Sequence, residues 1–144
     1  MRVVVQRVTS SSVKVEGKTV GSIDKGLLVL VGFTRDDNID KIKWMANKIV
    51  NLRIFDDEEG VMNKSVSDIG GSVLSVSQFT LYADANKGNR PSYINAMKQE
   101  DASLLYDIFN EELMSKINTQ TGIFRADMQV ELINDGPITI VIEK

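Results

Sequence analysis

Cysteine and histidine are both absent from this chain of 144 residues, and proline occurs only twice. Without cysteine there are no disulfides, thiolate nucleophiles or cysteine zinc sites. Without histidine the commonest general base and the commonest metal ligand are missing as well. Ser-His-Asp hydrolysis and histidine-held metals are therefore excluded. An enzyme built on this chain must work with carboxylates, lysines, hydroxyls, backbone dipoles or groups that its substrate brings. An excess of positive charge is also lacking. The net charge is −3, so any contact with a nucleic acid must be local rather than spread over the surface. No apolar run approaches the roughly 18 residues of a membrane span. The run Val3-Val4-Val5 is too short for the core of a secretory leader. A soluble, cytoplasmic protein is the expectation.

What is present is ordinary for a globular chain: 42% hydrophobic and 26% charged residues, enough for one domain over residues 1–144 to bury a core. Val3, Val5 and Val8 begin a strand that Val13 and Val15 continue. Glu16 to Lys18 reads as a turn into a second strand over 19–23. The run Gly26-Leu-Leu-Val-Leu-Val-Gly-Phe33 has the continuous apolar pattern of a strand buried on both faces. Asp36, Asp37 and Asn38 offer N-cap chemistry for a helix whose apolar positions are Ile39, Ile42, Ala46, Ile49 and Val50. Residues 51–71 read mostly as loop, with a charged turn from Asp56 to Gly60. Residues Ser72 to Tyr82 read as a strand that turns polar towards its end, followed by a loop from Asp84 to Ser92. A second amphipathic helix is expected from about Asp101 to Ile117. The expectation is an α+β fold: a single strand-rich domain, with a sheet or barrel-like core of mainly antiparallel strands and two main helices.

The placement of the second proline is the most informative local feature. Met128, Val130 and Leu132 alternate with polar residues, and Ile138, Ile140 and Ile142 resume the same period of two. Between them stands Asn134-Asp-Gly-Pro137. Proline cannot donate to a strand ladder, so this is a break with a fixed backbone shape, able to aim carbonyls at a ligand. An ordinary turn joining two strands is the plain alternative.

Two further segments carry polar chemistry. Ser77-Gln78-Phe79-Thr80 places two hydroxyls and an amide at a strand end, a usual place for working groups. Strand alternation would send Ser77 and Phe79 to one face and Gln78 and Thr80 to the other. Thr80 as a nucleophile would need an adjacent base, and Asp84 and Lys87 stand at no diagnostic spacing. Lys87-Gly-Asn-Arg90-Pro91-Ser92 joins two cations to a flexible glycine and a stiff proline, fit either for a phosphate, with Tyr93 available for stacking, or for a plain solvated turn. The acidic run Asp56–Glu59 lacks the alternating carboxylates of a calcium loop and reads as a solvated turn. Phe124 and Met128 read as core.

Ser77-Gln-Phe-Thr-Leu81 and Asn134-Asp-Gly-Pro-Ile-Thr139 together resemble the two signature motifs of the bacterial-type D-aminoacyl-tRNA deacylases. Lys87–Ser92, Asn118-Thr-Gln-Thr-Gly122 and the opening Arg2–Thr9 resemble the family in order and spacing, over essentially the full chain. A related trans-proline branch departs from Ser-Gln-Phe-Thr, so this sequence sides with the chirality-proofreading branch. The resemblance implies a homodimeric cytoplasmic hydrolase, acting on aminoacyl-tRNA without metal or cofactor. It would cleave the ester between a D-amino acid, or glycine, and the terminal adenosine of tRNA. It implies a cis Gly136–Pro137 bond whose carbonyls, with Asn134 shaping the turn, reach into the partner's site and select configuration. It also implies that Ser77, Gln78, Phe79 and Thr80 line the site around the ester, and that Lys87, Arg90, Pro91 and Ser92 touch tRNA. One departure stands out: Arg125 occupies a place where the family usually has a small residue. Rival readings are a non-catalytic RNA 3′-end-binding module, a metal-dependent carboxylate hydrolase and a ligand-free oligomer-forming domain.

Overall fold

The computed structural model describes the chain from Met1 to Lys144. Its spine is β1 (Arg2–Val15), whose Val3 and Val5 point inward and are fully buried. β-branched side chains suit this pleated, half-buried setting. β2 (Lys18–Ile23) folds back antiparallel on the second half of β1, from Ser11 to Val15. β3 (Gly26–Gly32) pairs antiparallel with the first half, from Arg2 to Val8. The chain then enters α1 (Ile39–Val50), where the Asn38 side chain caps the helix by accepting from the Lys41 N–H at 3.1 Å. Ile42, Met45, Ala46 and Ile49 form the buried stripe of α1, the 3–4 spacing that a helix needs to face a core.

β4 (Phe55–Asp56) and β5 (Met62–Lys64) make a small hairpin. Within it the Asp57 carboxylate accepts from the N–H groups of Glu59 and Val61 and from the Asn63 amide. These bonds hold the Asp57 carboxyl below its usual range, so the acidic run is an internally bonded turn. No three carboxylates converge there or elsewhere into a metal-binding group. β6 (Ser72–Ser77) joins β3 in parallel, α2 (Gln99–Met114) follows, and β7 (Thr119–Thr121) joins β6 in parallel. A helix lies between the members of each parallel pair, because such strands require a long crossover. The antiparallel pairing expected from the sequence holds for the three ladders on β1 and for the β4–β5 hairpin, while β6 and β7 join in parallel. The last strand, β8 (Gln129–Glu143), pairs antiparallel with β1 along the opposite edge from β2 and β3.

The sheet runs β2-β1-β3-β6-β7 with β8 on the far side of β1, and it curls until β2 nearly meets β7. At Gly21 an added Cβ would lie 2.9 Å from the Thr121 carbonyl oxygen, so only glycine permits that approach. The curled sheet explains the unbroken apolar run of β3. Leu27, Val29 and Val31 face the helices, packing with Met45, Ile49, Phe109 and Leu113. Leu28 and Leu30 face the barrel-like interior with Val13, Leu74 and Val76. The α+β, strand-rich architecture with two helices is as expected.

Four elements differ from the sequence reading. α2 starts at Gln99 and stops at Met114, with Glu100 and Asp101 in its first turn, where the helix dipole favours anions. The hairpin of β4 and β5 falls within residues that read from sequence as loop, since strands of two and three residues show no alternation. β6 ends at Ser77, and Phe79–Tyr82 is a 3-10 turn rather than a continued strand. β3 stops at Gly32, so no strand remains to pair with residues beyond Gln78, and the Gln78 N–H makes the last ladder bond, to the Val31 oxygen at 2.7 Å. Finally, the Gly-Pro break does not join two separate strands. Both flanks stay on β1, and the register jumps from Gln6 opposite Thr139 to Val8 opposite Asn134. Residues 135–138 are thus a bulge on one long strand, and its Gly136–Pro137 peptide is cis.

Candidate active site

The strand end at Ser77 opens onto a cleft of about 450 Å³. One wall is the end of β3 (Val31, Gly32) with Phe33 just beyond it, and another is Ser77, Gln78 and Phe79. Met97, Gln99 and Ala102, around the start of α2, and Phe124, Arg125, Ala126, Met128 and Val130 complete it. The chain folds this way because the 3-10 turn lies directly on Gly32. A Cβ at Gly32 would stand 2.8 Å from the Gln78 carbonyl oxygen. Arg2 pins the turn from outside. Its guanidinium donates to the Leu81 oxygen at 2.6 Å, pairs with Glu143 and stacks 4.9 Å over the Tyr82 ring. Tyr82 is buried beneath, and desolvation, then Asp37 and Glu143, push its phenol up to about 12.

Within the cleft wall, Ser77 and Gln78 are half-buried and Phe79 is exposed. The 3-10 turn, not strand alternation, brings Gln78 and Phe79 onto the same cavity. Thr80 is exposed and is not among the lining residues. Its hydroxyl accepts from the Gln78 side-chain amide at 2.5 Å, and no base touches it. Phe79 and Thr80 open the 3-10 turn, so their N–H groups have no partner inside it. Phe124 and Met128, read from sequence as core, do pack on the hydrophobic clusters, and each also lines the cleft. Phe124 is half-buried, its ring centroid 5.9 Å from that of Tyr106 on α2. Apolar periodicity cannot tell a core wall from a cavity wall, because both want the same side chains. Arg125 also lines the cleft.

The loop of Lys87, Arg90, Pro91 and Ser92 lies beside this opening. Asp84 and Ser92 exchange two backbone hydrogen bonds of 2.8 Å that close the loop. The exposed Tyr93 meets Phe79 edge to face with ring centroids 5.2 Å apart. Lys87 and Arg90 are exposed and form no ion pair.

Asn134, Gly136 and Pro137 are elsewhere and do not line this cleft. Their bulge stands opposite Arg7, which pairs with Leu27, whereas the cleft begins at the other end of β3 near Gly32. The five-residue step from Leu27 to Gly32 corresponds to roughly 16 Å of strand. Three groups hold the bulge. The Asn134 side chain spans it, accepting from the Ile138 N–H at 3.0 Å and donating to the Thr139 hydroxyl at 2.9 Å. Gly136 adopts φ 129°, and a Cβ there would meet the Ile138 side chain at 2.8 Å. Arg7, only 7% exposed, donates to the Asp135 oxygen at 3.1 Å and the Ile54 oxygen at 2.8 Å, and pairs with Asp135 and Asp56. Sequence reasoning missed Arg7. The available signal was a cation on the inward phase of Val3 and Val5, where a buried charge must have partners. Gly136 and Pro137 themselves are exposed.

Among solved structures, one described as a c-Myc DNA unwinding element binding protein superposes with a TM-score of 0.95 and 42% identity, covering 100% of this chain and 99% of that one. Another, described as a probable eukaryotic D-amino acid tRNA deacylase, has a TM-score of 0.84 and 18% identity over 98% of this chain and 97% of its own, a likeness of fold. Residues 4–143 match the profile of the family described as D-Tyr-tRNA(Tyr) deacylase, and the chain belongs to that family of hydrolases, which act on the ester bond of aminoacyl-tRNA.

Proposed function

We propose that this deacylase proofreads chirality with backbone rather than side chains, and that its site is completed by a second copy of the chain. The observation that carries the reading is the separation of its two motifs. The cleft holding Ser77, Gln78 and Phe79 lacks the Gly136–Pro137 bulge, which projects, exposed, from the outer strand β8. A homodimer that inserts each bulge into the partner's cleft reunites them. Further support comes from β8 itself, which pairs only with β1 and exposes Ile133 and Val141 on its outward face, since an unpaired edge beside apolar side chains is a surface that a partner covers.

In this reading the substrate is a D-aminoacyl-tRNA, or mischarged glycyl-tRNA, in the cytoplasm. Ser77, Gln78, Phe79 and Thr80 surround the terminal adenosine and the ester. The ester is already activated and carries a ribose 2′-hydroxyl beside it, so the substrate supplies an acid–base group in a chain without histidine. The protein positions water and stabilises the developing oxyanion through the N–H groups of Phe79 and Thr80. Asn134, Gly136 and Pro137 form the wall that senses configuration, while Lys87, Arg90, Pro91 and Ser92 contact tRNA. Rejecting L-residues by ~1,000-fold requires roughly 4 kcal/mol. A hydrophobic pocket discriminates by only about 1–3 kcal/mol per methylene and would also read side-chain identity. Backbone stiffened by proline, with φ near −65°, contacts the Cα substituents and ignores the rest.

The decisive experiment measures release of D-Tyr and L-Tyr from charged tRNA at enzyme concentrations well below substrate. Fast turnover of the D-ester alone is expected, and equal rates for both would end the reading. Thr80→Ala is expected to retain substantial activity, because Thr80 positions groups and does not attack. Isolation of an acyl-Thr80 intermediate would refute that role.

A further inference from the structure

We propose that Arg125 is the phosphate contact of this cleft, gripping the phosphodiester that joins the terminal adenosine to the rest of the acceptor end. The inference rests on the reading above that the adenosine end enters this cavity. Arg125 is the sole charged side chain among the residues that line it, the others being apolar or neutral polar. No hydrogen bond or ion pair involves its guanidinium, whereas Arg2, Arg7, Arg35 and Arg53 all have partners. An unpaired guanidinium at the mouth of a largely apolar cavity has its five donors available to an incoming anion.

The backbone beneath it is placed firmly. Residues 123–126 form a turn closed by the Ala126 N–H on the Ile123 oxygen at 3.2 Å, with Arg125 at φ 66°. That is the third position of a type II turn, where glycine is the strain-free residue. A long cation thus occupies a conformation that disfavours it. On one side Phe124 is packed on Tyr106, and on the other Met128 touches the interior cluster. The Gly122 N–H donates to the Ser75 oxygen at 2.9 Å and ties the turn's approach to β6. The guanidinium is therefore presented from a fixed base, which reduces the ordering needed on binding.

The substrate's chemistry selects the partner. Adenine and ribose are neutral, and the free amino group of the ester is a cation. The phosphate is the anion that every charged tRNA brings to this place, whatever amino acid it carries. With an overall charge of −3 the protein has no general attraction for a polyanion, so a local fork suited to two phosphate oxygens is effective. A carboxylate on the amino acid's own side chain is the competing anion, but it is present only in D-Asp and D-Glu esters.

Adenosine and adenosine 5′-monophosphate separate these cases by calorimetric titration, which needs no turnover. The protein is expected to bind the monophosphate about tenfold more tightly, as a charge-assisted hydrogen-bond pair gives, with the preference shrinking as salt rises. In Arg125→Gly, which also suits the positive φ, the preference should vanish, and in Arg125→Lys it should survive in part. Equal binding of the two probes by the unaltered protein would overturn the assignment. So would a preference that persists in Arg125→Gly, or a loss of hydrolysis in that variant confined to D-Asp and D-Glu esters. The comparison of D-Tyr with L-Tyr release tests the underlying reading separately. Failure there with the phosphate preference intact would count against chirality proofreading and not against Arg125.

Discussion

The cleft and the Gly-Pro bulge are built on opposite plans. The cleft is a wall of side chains backed by the core. Val31 on β3, Phe33 just after it, Ala102 on α2 and Phe124 against Tyr106 all belong to or pack on the main hydrophobic cluster. The bulge touches that core only through Ile138. It is a loop-out of backbone on an outer strand, kept in shape by the Asn134 side chain, the glycine at 136 and the buried guanidinium of Arg7. A side-chain wall can hold a nucleoside but reads groups by size. Main chain held by polar contacts presents the same carbonyls to every amino acid. On the proposed reading, dividing the two tasks between regions would allow one enzyme to grip tRNA and remain blind to side-chain identity.

The largest way to break that division is Gly136→Ala. The added methyl would sit 2.8 Å from Ile138 Cγ1 at a φ of 129°, so the bulge must reshape while the cleft, far along the sheet, keeps its packing. On the proposed dimeric site, D-Tyr-tRNA hydrolysis should fall by about two orders of magnitude, or ~2.7 kcal/mol, with only a small change in melting temperature. Mixing this variant with Gln78→Ala, altered in the cleft, sharpens the comparison. In a two-fold dimer, a heterodimer pairs one intact bulge with one intact cleft. Subunit exchange should then recover about a quarter of the unaltered activity from two poor enzymes. No recovery despite verified exchange would place both motifs in one protomer's site.

Next in size is the support beneath the bulge. Arg7→Lys keeps the charge but cannot bond the Asp135 and Ile54 oxygens together as the guanidinium does. The Ile54 oxygen is left buried without its donor, a loss of about 1–3 kcal/mol. Denaturant unfolding should register that loss, and the D-to-L rate ratio should fall with it. Lost stability with an unchanged ratio would make Arg7 a structural residue and nothing more.

How much of this was legible depends on how far apart the deciding contacts lie. The double burial of β3, a cap among residues 36–38 and most of the stripe of α1 are local patterns legible in the sequence, although Ile39 at the first turn is exposed and the buried Met45 completes the stripe instead. The end of β6 was not, because Ser77 and Phe79 keep the alternation of a strand and only the loss of a neighbour beyond Gly32 stops it. Phe124 and Met128 look like core residues and contact core residues, yet one side of each faces the cleft. Arg7 meets Asp135 across 128 residues of sequence, a pairing that no window reveals. The polar motifs at 77–80 and 134–137 stood out, but only the sheet register showed them to be well separated within one chain.

Tyr82 offers a smaller test on the cleft side. Its phenol is buried under the turn that carries Phe79, with a folded value near 12 against an ordinary 10. Between about pH 10 and 12 the folded protein keeps this proton and the unfolded chain loses it. Stability linked to Tyr82 is therefore complete below pH 10 and declines as pH rises through that window. Tyr82→Phe should flatten this part of the stability profile in denaturant titrations at alkaline pH. A slope unaffected by the substitution would mean that the turn is open to solvent.

The smallest expected effect belongs to the loop between the two plans. Arg90 is exposed, unpaired and held beside the cleft by the Phe79–Tyr93 contact, so on the proposed reading it would add affinity for tRNA without shaping the ester's surroundings. Arg90→Ala should raise KM modestly and leave the D-to-L ratio unchanged. The slope of log affinity against log salt should fall by about 0.7, the share of one contact to a single-stranded phosphate. An unaltered slope would return Lys87 to Ser92 to the status of a solvated turn. A changed D-to-L ratio would mean that the nucleic-acid side of the site also takes part in judging configuration, and the separation between side-chain grip and backbone discrimination would not hold.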